Sequence, residues 1–316
     1  MGSTRAGAGL SHREQPEGEE RLGMRFRILG SLDVVRATRR IPIPAAKQRI
    51  ALATLLLHAN QYVASDQLIA HLWHSNTPNN ARAALHTHIA RLRRVLDDGL
   101  GGEQLIHTRD HGYLIQVSAA QVDVIDFHRL LRRAEEAAGT ADAAVEAGLL
   151  QDALALWRGP ALADIPSESL GLDHVGRLAE QRVQALERWL ELGLQTGRHE
   201  QVIAELTAAT AAHPLRERLW AQLMLALYRC GRRAEALQAY RAVADQLREE
   251  LGIDPGEELR RLHQSILLAD PVLTLSPPLY PVSSRWSRPV RALASRPPSS
   301  PPSPAAPSCR RPWIVC

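Results

Sequence analysis

Residues 80–97 carry the side chains best suited to chemistry in this sequence. Leucine and isoleucine recur there at the spacing of one helical face, which predicts an amphipathic helix. The opposite face, at about 100° per residue, presents small, hydroxylated and cationic side chains, namely Ala83, Thr87, Arg91 and Arg94, with His88 and Arg93 on its flanks. Arginine binds guanine edges and phosphates, and small residues allow close approach, so this pattern is typical of a helix in the major groove of DNA. A solvated basic face on an ordinary helix has the same pattern, so the neighbouring elements must decide.

Those neighbouring elements favour DNA binding. Two more amphipathic helices precede the basic one, the first starting near Lys47 and the second N-capped by Ser65 or Asp66. Before them, residues 24–30 alternate as a strand and are followed by a second short strand, and residues 105–117 predict a hairpin. Strands, three helices and a hairpin, in that order, predict a winged helix-turn-helix whose third helix contacts DNA.

The charge of the chain is divided unevenly between its two halves. Residues 24–118 hold 12 Lys and Arg against 6 Asp and Glu, whereas residues 119–270 hold 17 against 24. The overall charge of +4 therefore combines a cationic first half with an anionic second half. Because neutralisation of phosphates supplies most non-specific affinity for DNA, the asymmetry predicts that only residues 24–118, the predicted winged-helix domain, bind nucleic acid.

The second half, residues 119–270, contains an internal repeat. Gly197 and Gly231, each followed by arginine, are 34 residues apart, which is the period of tetratricopeptide helix pairs. We expect these glycines to end helices and a further copy to begin at Gly148. Helix pairs of this kind bury their apolar faces by stacking, so the fold is predicted to be mainly α overall: a winged helix followed by an all-α tetratricopeptide-like domain with a protein-binding or dimerising surface.

Seven groups of residues, taken in order, carry a resemblance to a known family: Lys47-Gln48-Arg49, Asp66-Gln67-Leu68-Ile69 with Leu72-Trp73, residues 85–94, Gly112-Tyr113-Leu114, Asp123 with Phe127, residues 156–162 and residues 250–256. Over roughly residues 24–269 the chain resembles the Streptomyces antibiotic regulatory proteins. Members of that family join an OmpR-type winged helix to an all-helical bacterial transcriptional activation domain. The order and spacing of the groups carry the resemblance, since no single group is specific.

The resemblance implies a short-form transcriptional activator of a secondary-metabolite gene cluster. Two subunits would lie side by side on direct repeats near the −35 region of a promoter. Our hypothesis for the contacts places the third helix in the major groove, the start of the first helix on a phosphate and the hairpin on the minor groove or backbone. The candidate DNA-binding residues are Lys47, Arg49, Asn80, Ala83, Thr87, His88, Arg91, Arg93, Arg94, Arg109 and His111.

Activation in the resembled family means holding RNA polymerase at a weak promoter through its sigma factor or alpha subunit. The loop between the second and third predicted helices occupies the position that OmpR-type activators turn toward polymerase. Here the candidate polymerase-contacting residues are His74, Ser75, Asn76 and Thr77. The first three replace glycine and acidic residues that are often found after the tryptophan, and this departure affects the expected polymerase contact more than the DNA contact.

Enzymatic and metal-binding functions are poorly supported. His86 and His88 are about 200° apart on a helix and cannot hold one ion from the same face, and no cysteine or carboxylate cluster joins His107 and His111. Neither a phosphate-binding glycine pattern nor a nucleophile elbow occurs. We therefore expect no cofactor, no metal and no enzyme. No apolar run approaches the roughly 20 residues that span a bilayer, and the three cysteines form no disulfide framework, so a cytoplasmic protein is expected.

Both ends of the chain differ from its middle. Residues 1–23 lack the apolar segment of a signal peptide, and residues 271–316 contain 12 of the 20 prolines and no acidic residue, so we expect both to be disordered. Two other classes of protein remain open. One is a helical-repeat scaffold that binds proteins but not DNA, and the other is the output half of a response regulator.

Overall fold

The computed structural model describes residues 23–74, 76–97, 104–140 and 142–274. Disorder was predicted for residues 1–23 and 271–316, but Pro271–Leu273 form a short 3-10 helix. The rest of that prediction, for residues 1–22 and 275–316, and the candidate contact of Ser75 lie outside the described residues. The described residues form two compact units. The winged-helix unit comprises residues 23–28, 32–123 and 165–167, and the helical unit comprises residues 29–31, 124–164 and 168–274.

The winged-helix unit begins with a three-stranded antiparallel sheet of order β1-β2-β3, formed by β1 (Met24–Arg27), β2 (Asp33–Arg36) and β3 (Arg39–Arg40). The alternation of apolar residues predicted the first two strands. The third was missed because it is two exposed arginines long and has no apolar alternation.

Three helices follow: α1 (Ala46–Leu57), α2 (Ser65–Trp73) and α3 (Ala81–Leu96). A second sheet, of order β4-β6-β5, combines β4 (Val63–Ala64) with the hairpin of β5 (Ile106–Arg109) and β6 (Gly112–Ile115). The predicted winged helix-turn-helix is confirmed. The apolar face of α3 is also as predicted, because Leu85, Ile89, Leu92 and Leu96 are all buried.

The predicted N-cap of α2 is wrong by one residue. Ser65 is already the first helical residue, and Ala64 is the N-cap, with extended backbone angles and no side-chain cap. The reason is that α2 starts directly from β4. Ala64 pairs with Gly112 of β6, and the Ser65 amide donates a hydrogen bond of 2.9 Å to the His111 carbonyl.

The hairpin, which we call the wing, requires glycine at position 112. A Cβ atom there would lie 2.2 Å from the carbonyl oxygen of Val63, because β4 passes directly against β6. Asp110 at the tip adopts a φ of 39°, which turns the chain between the two strands. The wing is therefore held by the backbone pairing of three strands, although the sequence predicted only two of them.

The helical unit contains eight α-helices in the described residues: α4 (Asp123–Gly139), α5 (Ala143–Ala155), α6 (Glu168–Leu170), α7 (Gly176–Gln195), α8 (His199–Ala212), α9 (Glu217–Arg229), α10 (Arg233–Leu251) and α11 (Glu257–Leu268). A π-helical segment, Gly171–Val175, joins α6 to α7. The all-α prediction is confirmed. Gly197 and Gly231 follow α7 and α9 with φ of 77° and 76°, so they do end helices in the left-handed conformation that glycine favours. No helix among these residues is both long enough and apolar enough to cross a membrane.

The predicted repeat starting at Gly148 is wrong. Gly148 is a buried residue inside α5, and the chain turns earlier, between α4 and α5. The similar segments also fall at different places, since residues 152–157 end α5 whereas residues 235–240 lie near the start of α10. The residue type alone does not distinguish a glycine inside a helix from a glycine that ends one.

Trp157 belongs to the core of the helical unit. It is buried, its ring meets Phe127 edge-on with 5.4 Å between ring centroids, and the Arg182 guanidinium lies 5.0 Å from the centre of the indole. The segment after it is tied to residues 29–31, because the Arg158 amide donates a hydrogen bond of 2.9 Å to the Leu29 carbonyl.

Candidate nucleic-acid interface

The outward face of α3 is the centre of the candidate interface. Its exposed residues are small, polar or cationic and run along the whole helix: Arg82, Ala83, His86, Thr87, Ala90, Arg91 and Arg94. Sequence reasoning identified four of them and missed Arg82, His86 and Ala90. Helical spacing could have found Ala90, which is three residues after Thr87.

Arg91 and Arg94 are the two cations of this face that lie nearest its carboxyl-terminal end. Among the described residues, no carboxylate pairs with either of them. Arg82, at the start of α3, is instead bound to Asp66 of α2 at 3.1 Å. The hydroxyl of Thr87 donates to the Ala83 carbonyl at 3.0 Å and keeps its lone pairs for another donor. This face therefore presents two available cations beside small side chains.

Arg93, one of the candidate DNA-binding residues, points toward the wing. Its Nε donates a hydrogen bond of 2.9 Å to the Ile106 carbonyl, and its Nη2 donates one of 2.8 Å to the Thr108 hydroxyl. The side chain is half-buried at the flank of α3. Two of its three guanidinium nitrogens thus bind β5.

His88 lies on the inner flank of α3. Its ring is 6.1 Å from that of Trp73, and its Nδ1 is buried without a hydrogen-bond partner in the described part of the chain. Burial lowers the pKa of His88, and the positive charges of Arg91 and Lys47 lower it further. The imidazole is therefore neutral at pH 7, so it could meet a phosphate only as a neutral hydrogen-bond donor.

Lys47 is held at the carboxyl end of α2. Its ammonium donates a hydrogen bond to the Leu72 carbonyl and lies 5.7 Å from the centre of the Trp73 ring. Its charge thus complements the negative end of the α2 dipole. Arg49 is half-buried in the first turn of α1, so both candidate residues are at the helix start where the sequence placed them.

The remaining candidate residues are exposed. Arg109 and His111 flank the tip of the wing, on either side of Asp110. Asn80 immediately precedes α3. In the loop after α2, His74 has a φ of 47°, and the two candidate polymerase-contacting residues that follow the undescribed position 75, Asn76 and Thr77, are exposed.

Two further observations bear on the site. The guanidinium of Arg36, in β2, donates a hydrogen bond of 2.7 Å to the Leu96 carbonyl. The amino-terminal sheet therefore caps the last turn of α3, and the sequence did not predict this contact.

Across the described ranges, no three histidine, cysteine or acidic side chains come together as a metal site requires.

A winged helix whose third helix exposes arginines of this kind defines the class of DNA-binding transcriptional regulators. Comparisons with known families agree. Residues 43–115 match the family described as "Transcriptional regulatory protein, C terminal", and residues 122–267 match the family described as "Bacterial transcriptional activator domain".

Individual relatives extend the match across both units. The chain is 34% identical over 268 residues to the regulatory protein DnrI of Streptomyces peucetius, which covers 83% of this chain and 98% of DnrI. It is 40% identical over 258 residues to the regulatory protein AfsR of Streptomyces coelicolor, covering 81% of this chain but 25% of AfsR, so it spans about a quarter of that relative.

A solved structure of Mycobacterium tuberculosis EmbR in complex with a low-affinity phosphopeptide is similar in fold. It superposes with a TM-score of 0.74 at 35% identity, over 78% of this chain and 66% of that one. The chain therefore belongs to the Streptomyces antibiotic regulatory protein family, with an OmpR-type winged helix and a bacterial transcriptional activation domain. It is a DNA-binding transcriptional regulator and not an enzyme.

Proposed function

We propose that the protein activates transcription of a secondary-metabolite gene cluster, such as one for an antibiotic, by binding direct repeats near the −35 element. The observation that carries the proposal is the outward face of α3, where Arg91 and Arg94 are exposed and have no carboxylate partner among the described residues. Arg82, on the same face, is instead paired with Asp66. The family name and the similarity to DnrI support the kind of gene that is regulated.

The proposed contacts follow from the position of each side chain. Helix α3 lies in the major groove, with Thr87, Arg91 and Arg94 at base edges and Ala83 allowing close approach. The start of α1 faces a phosphate, and the tip of the wing reaches the neighbouring minor groove or backbone. Residues at the edges of the interface complete the set, namely Lys47, Arg49, Asn80, His88, Arg93, Arg109 and His111.

Two protein partners belong to the same proposal. The loop of His74, Ser75, Asn76 and Thr77 turns toward RNA polymerase and contacts its sigma factor or alpha subunit. Two copies of the chain bind side by side as a homodimer on the DNA, one on each direct repeat, as tandem half-sites require. A regulator of bacterial promoters acts in the cytoplasm, where the nucleoid lies.

A gel-shift titration at several salt concentrations tests the proposal. The probe is a duplex that the full chain selects from a random-sequence library, and a scrambled duplex of equal length is the control. We expect sequence-selective retardation whose logarithmic affinity falls linearly with the logarithm of salt concentration. Arg49→Ala should lower affinity for both duplexes and reduce the salt slope by about one, as loss of one phosphate contact predicts. Absence of retardation on both duplexes would contradict the proposal and favour a protein-binding scaffold.

A further inference from the structure

One arginine at the interface is oriented differently from its neighbours. Arg93 binds β5 through two nitrogens of one planar guanidinium, with Nε on the Ile106 carbonyl and Nη2 on the Thr108 hydroxyl. A rigid fork that makes two hydrogen bonds fixes orientation as well as distance. The same carbonyl also accepts a hydrogen bond of 2.8 Å from the Gln104 side chain, so this point of the strand is held from two sides.

The strand that Arg93 holds is the free edge of its sheet. The order β4-β6-β5 pairs β5 on one side only, with β6. Edge strands twist and shift more easily than central ones, because half of their backbone groups lack a partner strand. Arg93 supplies donors to that unpaired edge and thereby fastens it to α3.

The fastened strand carries the proposed wing contact. Arg109 directly follows Thr108, at a rise of about 3.3 Å per residue, and its side chain is exposed. On the helix side, Arg94 directly follows Arg93 and Arg91 precedes it by two residues. Arg93 and Thr108, which share one of these two hydrogen bonds, are thus direct sequence neighbours of Arg94 on α3 and of Arg109 on the wing.

We propose that Arg93 is a positioning residue that fixes the wing to α3, so that helix and wing meet the DNA in one register. It acts through Thr108 and the Ile106 carbonyl, and its main role is to orient the contact of Arg109. The proposal rests on the proposed DNA contacts of α3 and the wing. It assigns to Arg93 a role different from a simple phosphate contact, because two of its three nitrogens bind protein.

The test is a double-mutant cycle between Thr108→Val and Arg109→Ala in the full chain, on a duplex selected by that chain. Thr108→Val removes the hydroxyl acceptor while keeping charge, size and strand preference. We expect it to weaken binding about five-fold, the equivalent of about 1 kcal/mol for one hydrogen bond. In the Arg109→Ala background the same change should cost less than about two-fold, because the contact that it orients is already absent.

A second readout separates positioning from loss of a phosphate contact. Hydroxyl-radical footprinting of the Thr108→Val complex should lose protection at the outer positions covered by the wing and keep it in the major-groove region covered by α3. Arg93→Lys retains the charge but loses the fork, so it should behave like Thr108→Val. Thr108→Ser keeps the hydroxyl, so its affinity and footprint should match those of the parent chain.

Thr38→Val is the matched control, because Thr38 is an exposed threonine in the turn between β2 and β3. It should leave affinity and footprint unchanged, and the melting temperature of every variant should stay close to that of the parent chain. Additive effects of Thr108→Val and Arg109→Ala, or wild-type binding by Arg93→Lys, would overturn the positioning role while the DNA-binding function stands. Failure of the full chain to select any duplex would overturn both.

Discussion

Two sets of arginines, one in each unit, make different contacts. In the helical unit several arginines form ion pairs with carboxylates. Arg188 of α7 binds the buried carboxylate of Glu146 in α5 through two hydrogen bonds of 2.6 and 2.9 Å, and it also meets Glu191, which binds Arg218 of α9. In the winged-helix unit Arg91 and Arg94 are exposed and meet no described carboxylate.

This difference shows why a count of basic residues does not locate a DNA-binding surface. The helical unit is rich in arginine, yet acidic residues outnumber the basic ones in residues 119–270. A paired arginine contributes to packing and orientation, and its charge is cancelled locally. The outward face of α3 keeps its charge because its neighbours along the helix are alanine, threonine and histidine.

The largest expected effect concerns the core of the helical unit. Trp157→Ala should lower the free energy of unfolding by about 3–5 kcal/mol, because it removes a buried indole packed against Phe127. Chemical denaturation measures the change. Trp220, which is only half-buried, serves as the control, and Trp220→Ala should cost less. Equal losses of unfolding free energy in the two variants would mean that the deeper burial of Trp157 does not determine its contribution to stability.

The second effect tests whether the ion pairs of the helical unit are structural. Arg188→Met should lower the free energy of unfolding by about 2–3 kcal/mol, because it leaves the buried Glu146 carboxylate without its main partner. The double variant Glu146→Gln with Arg188→Met should cost less than the single change, since no charge remains buried. DNA affinity should not change in either variant. A weaker gel shift from Arg188→Met would contradict a purely structural role for this ion pair.

The third effect tests the exposed arginines of α3. Arg91→Ala should weaken binding to the selected duplex by about 1–3 kcal/mol and change binding to a scrambled duplex little, as loss of a base contact predicts. Its melting temperature should equal that of the parent chain because the side chain is exposed. Arg248→Ala, which removes an arginine paired with Asp254, is the control and should bind DNA normally. Equal losses on both duplexes would instead indicate a phosphate contact.

The smallest effect is a pH dependence inside the helical unit. Burial raises the pKa of Glu187, and the positive charge of Arg218 opposes the rise. The folded state therefore holds this proton more tightly than the unfolded chain, so the stabilisation is full at acid pH and is lost as pH rises through the raised pKa. Glu187→Gln should thus be more stable than the parent above the ordinary glutamate range, and the advantage should disappear at acid pH. Thermal melts from pH 4 to pH 8 measure it, and a difference that does not vary with pH would refute the assignment.

Periodic and extended features of the fold could be predicted from the sequence, whereas contacts distant in sequence could not. The face formed by Leu85, Ile89 and Leu92 repeats along a single helix, so its spacing was enough to predict α3 and its outward side. Strands β3 and β4 are two residues long and exist only through pairing with other strands, which leaves no local pattern.

The candidate site shows the same limit. The sequence placed Arg91 and Arg94 on one face because that placement follows from helix geometry alone. It could not show that Arg93 binds Thr108, 15 residues away, or that Lys47 binds the Leu72 carbonyl across two helices. Such partners depend on how the elements pack, and the side-chain type is the same whether an arginine is paired or exposed.

Lys47 has one more consequence. It is the single lysine of the chain, and its ammonium is tucked against Trp73 at the end of α2. Amine-directed acylation therefore has one side-chain target in this sequence. The rate at which a succinimidyl reagent modifies Lys47 would report how often its ammonium leaves the Leu72 carbonyl and the Trp73 ring. The rate can be compared with and without DNA, and no engineered label is needed.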